Sequence, residues 1–156
     1  MKGGILTMDI LSTGSYPANK LSNFAGHQFV IDGILCRSME GFLQALKHKD
    51  IPSQEYTCGL VGRAAKRKGS NKTWNKHLYW QGREIERESE EYTELISRAF
   101  DAMFEQSDSF QRALQAAKDS GANLTHSIGK RKKKDTVLTR TEFIGQLDRL
   151  MDRLPN

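Results

Sequence analysis

The feature that most constrains this chain lies behind Ser89, where Tyr92, Leu95, Ile96, Ala99, Phe100, Met103 and Phe104 recur at intervals of three and four. That period predicts an amphipathic helix with a wide apolar stripe, which has to be buried against other elements. Phe110, Ala113, Leu114 and Ala117 predict a second helix closed by Gly121. A C-terminal helix follows from Phe143, Ile144, Leu147, Leu150, Met151 and Leu154, with Thr141 as its cap and Glu142 in its first turn.

The first half reads differently. Residues 4–11 suit a strand, and residues 12–19, rich in Gly, Ser, Pro and Asn, suit a loop. Asp32-Gly33 between apolar runs at 27–31 and 34–37 predicts a hairpin, because both turn residues tolerate positive φ. Ser38 can cap a helix bearing Met39, Phe42, Leu43 and Leu46, ending before Pro52. Ser53 can cap another through Tyr56, Leu60, Val61, Ala64 and Ala65, ended by Gly69. Residues 70–82 form a polar connection carrying aromatics, and residues 123–127 and 136–139 read as extended. The sum is an α+β fold, mainly helical with a small β-sheet or hairpin. A chain of 156 residues holds one core and is too short for two ordinary domains, so a single domain over 1–156 is expected.

Composition narrows the function. No apolar run reaches membrane-spanning length and the first residues lack the core of a signal peptide, which predicts a cytoplasmic protein with no membrane partner. Cys36 and Cys58 have no CxxC spacing and the four histidines form no cluster, so neither a metal site nor a disulfide framework is expected. No Gly-rich phosphate loop or GxSxG elbow supports ATPase or esterase chemistry, and no cofactor is implied. The formal charge of +5 equals one run, Lys130, Arg131, Lys132, Lys133 and Lys134; the remaining basic residues match the 19 acidic ones in number.

Glu40 falls in the first turn of a helix just after a hairpin. A carboxylate there suits a general base or the stabilisation of positive charge, and equally suits plain complementation of the helix dipole. Asn23 precedes the hairpin and can turn its amide toward the same cleft or bond its own backbone. Trp74, Tyr79 and Trp80, off any helical period, fit either a stacking platform for a base or a lid over the core. Cations from Arg63 to Lys68 sit where a helix C-terminus favours them, with phosphate binding only weakly signalled. The run at 130–134 fits a polyanion such as nucleic acid or pyrophosphate, or a solvated loop. His126, alone on the strand before it, reads as structural.

Leu21-Ser22-Asn23-Phe24-Ala25 resembles an opening "SNF" signature. Ile31-Asp32-Gly33, then Ser38-Met39-Glu40-Gly41-Phe42-Leu43-Gln44-Ala45-Leu46-Lys47, resembles a "hydrophobic-DG … S-x-E-x-x-x-Q-A-x-K" core. With Ala102-Met103-Phe104-Glu105-Gln106 and the closing residues 145–153, these motifs make the chain similar to the NADAR (NAD and ADP-ribose associated, YbiA-like) superfamily over about residues 21–153. The resemblance implies an N-glycosidase that breaks a bond between a ribose carbon and a nitrogen, either in riboflavin-pathway intermediates or in ADP-ribose attached to guanine of DNA. It implies Glu40 as the catalytic carboxylate. Asn23 and Phe24 would contact substrate, Lys47 would bind phosphate or tune Glu40, and Trp80 or Trp74 would stack on the base. His126 stands where relatives carry the glutamate of an "LVE" motif and would also contact substrate, Met103 replaces a lysine, and residues 130–140 replace a "D-x-x-WG" stretch, leaving Asp135 as a stand-in aspartate. The substrate end is thus rebuilt with cations, and Lys130 to Lys134 with Arg140 are expected to contact nucleic acid. The implied partners are an ADP-ribose-containing substrate, DNA and, in an antitoxin or phage counter-defence role, a toxin. A binding module without catalysis is the alternative from another class.

Overall fold

The computed structural model describes residues 6–70 and 77–156. Its elements, in chain order, are β1 (Thr7–Asp9), α1 (Ala18–Leu21), β2 (Phe29–Ile31), β3 (Ile34–Cys36), α2 (Met39–Ala45), α3 (Ile51–Cys58), α4 (Gly62–Ser70), β4 (His77–Trp80), β5 (Arg83–Glu86), α5 (Glu90–Gln106), α6 (Asp108–Ser120), β6 (Asn123–Thr125) and α7 (Arg140–Met151), with a single 3-10 turn at Lys133–Asp135. The fold is α+β, as expected.

α5 is the spine. Ser89 caps it by accepting from the Tyr92 N–H, and its apolar stripe is buried from Tyr92 to Phe104. Ser107 ends α5 and caps α6 through the Phe110 N–H, so two successive helices share one residue at their corner. α6 stops at Gly121, whose φ of 74° satisfies the left-handed C-terminal turn. α7 packs across both. Its cap is Thr139 rather than Thr141, in a reciprocal capping box with Glu142: the expected Thr141 lies inside the first turn.

β1 pairs in parallel with β6, Thr7 opposite Asn123 and Asp9 opposite Thr125, which ties the start of the chain to the loop before α7. The segment expected to be loop, residues 12–19, ends in a helix instead: α1 begins just after Pro17 and runs over Ala18–Leu21. β2 and β3 form the expected hairpin, with Asp32 and Gly33 at φ 49° and 80°. The expected helix from Ser53 to Gly69 is two helices. Asp50 caps α3 by accepting from the Ser53 N–H, Pro52 sits inside its first turn where its missing N–H costs nothing, and the chain breaks at residues 59–61 before α4. The connection at 70–82 contains a second hairpin, β4 to β5, turned on Gln81 and Gly82 at φ 50° and 85°. Residues 136–139 run to the α7 cap without pairing into a sheet.

The core closes between α2, the hairpins and α5. Phe29, Phe42, Phe100, Phe110 and Phe143 are fully buried, with Phe42 meeting Phe29 and Trp80 edge-on at ring-centroid distances of 6.2 and 5.2 Å. Gly41 is where α2 presses against the end of α3: a Cβ there would lie 2.6 Å from the Leu60 carbonyl oxygen. That close approach seats α2 and, with it, Glu40. Among the described residues, no helix is long and apolar enough to cross a membrane.

Candidate active site

α2 is positioned at its N-terminus by Ser38, whose hydroxyl oxygen accepts from the Gly41 N–H at 3.0 Å and whose O–H donates to the Leu60 carbonyl at 2.9 Å. The next residue but one is Glu40. Its backbone N–H donates to the Asn23 carbonyl at 3.0 Å, pinning the loop at 21–25 against the helix. The same loop is tightened by the Ser22 hydroxyl, which accepts from the Phe24 N–H at 3.1 Å. A local cap and one backbone bond therefore bring Asn23, Phe24 and Glu40 together.

They line a cavity of about 420 Å³ with Gln44, one turn further along the helix, with Lys47 just beyond its C-cap, and with Lys66 of α4. Its opposite wall is the chain from His126 to Lys130 and from Asp135 to Leu138. Glu40 is 8% exposed and accepts from the Gln44 amide nitrogen at 2.6 Å. Burial pushes its carboxyl above the ordinary value, while the Gln44 bond and the positive charges of Lys66, Lys47 and His126 pull it back. Burial also draws the Lys47 ammonium below its ordinary value; Glu40 opposes this, and Lys130 and Lys66 add to it. The Asn23 and Gln44 side-chain oxygens are buried at the cavity without a hydrogen-bond partner, so two acceptors await donors there.

The far wall is held from behind. Arg87, buried, grips the Glu142 carboxylate through both guanidinium nitrogens at 3.0 and 2.5 Å, and its Nε donates to the Thr136 carbonyl at 2.9 Å. Its guanidinium lies 4.4 Å from the Tyr92 ring centroid, and the Tyr92 hydroxyl donates to the Val137 carbonyl. His126 donates from Nδ1 to the Ile10 carbonyl at 2.9 Å.

Several expected site residues lie elsewhere. Trp80 is 6% exposed, packs on Phe42 and donates its indole N–H to Asp32 at 2.8 Å, so it is a core residue that fastens β4 to the first hairpin and offers no free face to a base. Trp74 falls outside the described residues. The Arg140 guanidinium donates to the Gly129 and Ser127 carbonyls, each at 2.8 Å, which shapes the turn at 127–129 and places the side chain outside the cavity. Of the basic run, Lys130 lines the cavity, Lys133 and Lys134 border a separate depression with Glu86, Arg87 and Glu88, and Arg131 and Lys132 are exposed and line neither. Asp135 does reach the cavity. Gln44 had not been expected at the site, and Lys66 only as one of the cations from Arg63 to Lys68 that weakly signalled phosphate binding. Gln44 is one helical turn after Glu40, a spacing that could have marked it.

Metal-ligating donors come together at His77, Glu84 and Glu86, within 4.8 Å of one another on the β4–β5 hairpin. None of the three lines the cavity: His77 Nδ1 lies 2.9 and 3.3 Å from the exposed Glu84 and Glu86 carboxylates on the hairpin's surface. Cys36 and Cys58 are free and buried, and the neighbouring Cys58 together with burial pushes the Cys36 thiol far up.

Residues 15–152 match the family described as "Bacteriophage protein GP30.3". The chain belongs to that family. It is 39% identical over 151 residues to a 17.1 kDa protein from the Gp30-rIII intergenic region of Enterobacteria phage T4, covering 94% of this chain and 98% of the phage protein. Its fold is that of the E. coli protein YbiA, solved by NMR, with a TM-score of 0.62 and 21% identity over 95% of this chain and 84% of YbiA. The GP30.3 family is NADAR-like, so the resemblance seen in the motifs holds at the level of family and fold: the chain is a divergent NADAR superfamily member.

Proposed function

We propose that this GP30.3-family protein is an N-glycosidase that hydrolyses a ribosyl C1–N bond, and that its substrate is ADP-ribose attached to guanine in DNA. NADAR proteins are known for N-glycosidase activity, which gives the reaction class. The single observation that carries the reading for this chain is the buried Glu40 carboxylate facing a cavity of about 420 Å³ beside Lys47, Lys66 and Lys130. Breaking a ribosyl C1–N bond develops positive charge on the sugar, so one carboxylate near C1 both stabilises that charge and takes a proton from the attacking water. Burial strengthens both effects, because little solvent screens the charge.

The neighbours divide the remaining work. Gln44 orients the Glu40 carboxylate through its amide. The unpartnered Asn23 and Gln44 oxygens accept from ribose hydroxyls or an exocyclic amine of the base. Phe24 supplies the aromatic face that Trp80 cannot. Three lysines lining one cavity match a diphosphate better than a single phosphate, and Arg131 and Lys132 just outside would meet a nucleic-acid backbone. The phage T4 relative suits a role in reversing ADP-ribosylation directed at phage DNA.

The test is incubation with an oligonucleotide carrying ADP-ribosylated guanine, followed by chromatography for free ADP-ribose and unmodified DNA. Release of both supports the reading. Consumption of a riboflavin-pathway intermediate without release from DNA would move the substrate to the riboflavin class. No turnover of either, with calorimetric binding of ADP-ribose, would make the protein a binding module.

A further inference from the structure

A glycosidic bond to a nitrogen base breaks more easily when the departing nitrogen receives a proton, and Glu40 cannot both take the proton of the attacking water and supply that one in the same step. A second titratable group must face the cavity. His126 does so from the opposite wall. Its Nδ1 faces the Ile10 carbonyl at 2.9 Å and therefore carries the hydrogen, which fixes the neutral tautomer and leaves Nε2 as the atom that gains and loses a proton. Nε2 takes no hydrogen bond from any described residue.

The ring is also held in place as a working group would be. Phe143 meets it edge-on at 4.9 Å between centroids. On its other side the chain comes so near that a Cβ at Gly129 would lie 2.5 Å from His126 Cδ2 and 2.9 Å from Arg140 Cβ. Only a glycine lets that turn close on the imidazole. Arg140 locks the turn by bonding the carbonyls on either side of it. Charged groups of both signs surround the ring: Asp9 of β1 and Glu40 of α2 on the acidic side, Lys130 on the following turn and Arg140 of α7 on the basic side.

We infer that His126 is the proton donor to the departing base, an inference that rests on the glycosidase reading above. The C1–N electron pair passes to the nitrogen of the base, which takes the proton from Nε2. The water oxygen forms the new bond to C1 and gives a proton to Glu40. Solvent then returns a proton to His126 and removes one from Glu40, so the sum is the addition of one water across the bond.

Hydrolysis of the ADP-ribosylated oligonucleotide by wild type, Glu40→Gln, His126→Gln and His126→Ala, followed from about pH 5 to 9 around the histidine range, tests this. Wild-type kcat/KM should fall on the alkaline side as the imidazolium is lost. His126→Gln should lower kcat by about 10² to 10⁴, remove that alkaline fall and leave ADP-ribose affinity unchanged. Added imidazole should restore part of the turnover of His126→Ala, which it would not do for a side chain that only fills space or for a variant that fails to fold. If His126→Gln keeps both the rate and the alkaline fall while Glu40→Gln is inactive, the glycosidase reading stands and the assignment of His126 is overturned. If wild type releases no ADP-ribose, both fall together.

Discussion

The wall of the cavity that carries Glu40 is a helix face. Ser38 caps it, Phe42 and Leu46 bury its other side, and Gly41 locks it against α3. The wall opposite, from His126 to Leu138, has no regular structure beyond one 3-10 turn and is held by side chains reaching from behind: Arg87 to Thr136, Tyr92 to Val137, Arg140 to Ser127 and Gly129. The first wall cannot change without disturbing the core. The second can be relined by altering residues that point into the cavity, provided the clamps stay. Such a division lets a fold keep its reaction while its substrate changes, and Lys130 and His126 lie on the replaceable side.

The sharpest break between the walls comes from Glu40→Gln. Glutamine keeps the shape and can still meet Gln44, so the fold should persist while turnover falls by about 10² to 10⁴, as for a positioned acid or base. Stability should move the other way. Burial raises the Glu40 carboxyl above its unfolded value, so ionising it costs folding energy once the pH exceeds that unfolded value. At neutral pH the variant should melt at the same temperature as wild type or higher, by differential scanning calorimetry. A variant that is inactive and also unstable would show Glu40 to be a packing residue.

The same break on the clamped wall is Arg87→Met. It leaves the Glu142 carboxylate largely buried without its partner and frees the Thr136 carbonyl, for an expected loss of roughly 3 kcal/mol in urea denaturation. A loss below about 1 kcal/mol would class the pair with surface salt bridges. The pH dependence has a definite sign. Burial pushes the Glu142 carboxyl up, but the bonds from Arg87 and Thr139 outweigh it and hold the group below its ordinary value. The pair therefore stabilises above the unfolded carboxyl value, and that contribution disappears as acid protonates the folded form. Arg87→Met should flatten the acid side of the stability profile.

The two walls also differ in how far the sequence reveals them. The helix wall was legible because its signals are local: a serine cap, an Asp-Gly turn, apolar spacing and the motif around Glu40 lie within about two turns of one another. Lys66 was not, because α4 reaches the cavity only through a break at residues 59–61 that the continuing apolar pattern hides. The β4–β5 hairpin was missed for a related reason. Its turn has the same positive-φ geometry as Asp32-Gly33, but glutamine occupies the first position at Gln81 and gives no turn signal. Without that hairpin, Trp80 looked unpaired with any periodic face. In the strand it alternates correctly, Leu78 and Trp80 inward and His77 and Tyr79 outward, and so enters the core. The clamps that Arg87 and Tyr92 place on the far wall join residues 45 to 55 positions apart, which no local pattern displays.

The smallest expected effect separates the rim of the cavity from the rest of the basic run. Lys130 lines the cavity, whereas Arg131 and Lys132 stand outside it. Lys130→Ser should weaken binding of free ADP-ribose several-fold by calorimetry, because it removes one of three cations facing the diphosphate. Arg131→Ser with Lys132→Ser should leave that binding unchanged. Instead, the double variant should reduce the salt dependence of DNA binding, by about 0.9 in slope for each double-strand phosphate contact or about 0.7 for each single-strand one. The run then acts as two devices, one lysine serving the reaction site and its neighbours serving the polymer that carries the substrate. An equal loss of ADP-ribose affinity in both variants would make it a single diffuse field, and an unchanged salt slope would return Arg131 and Lys132 to the solvent.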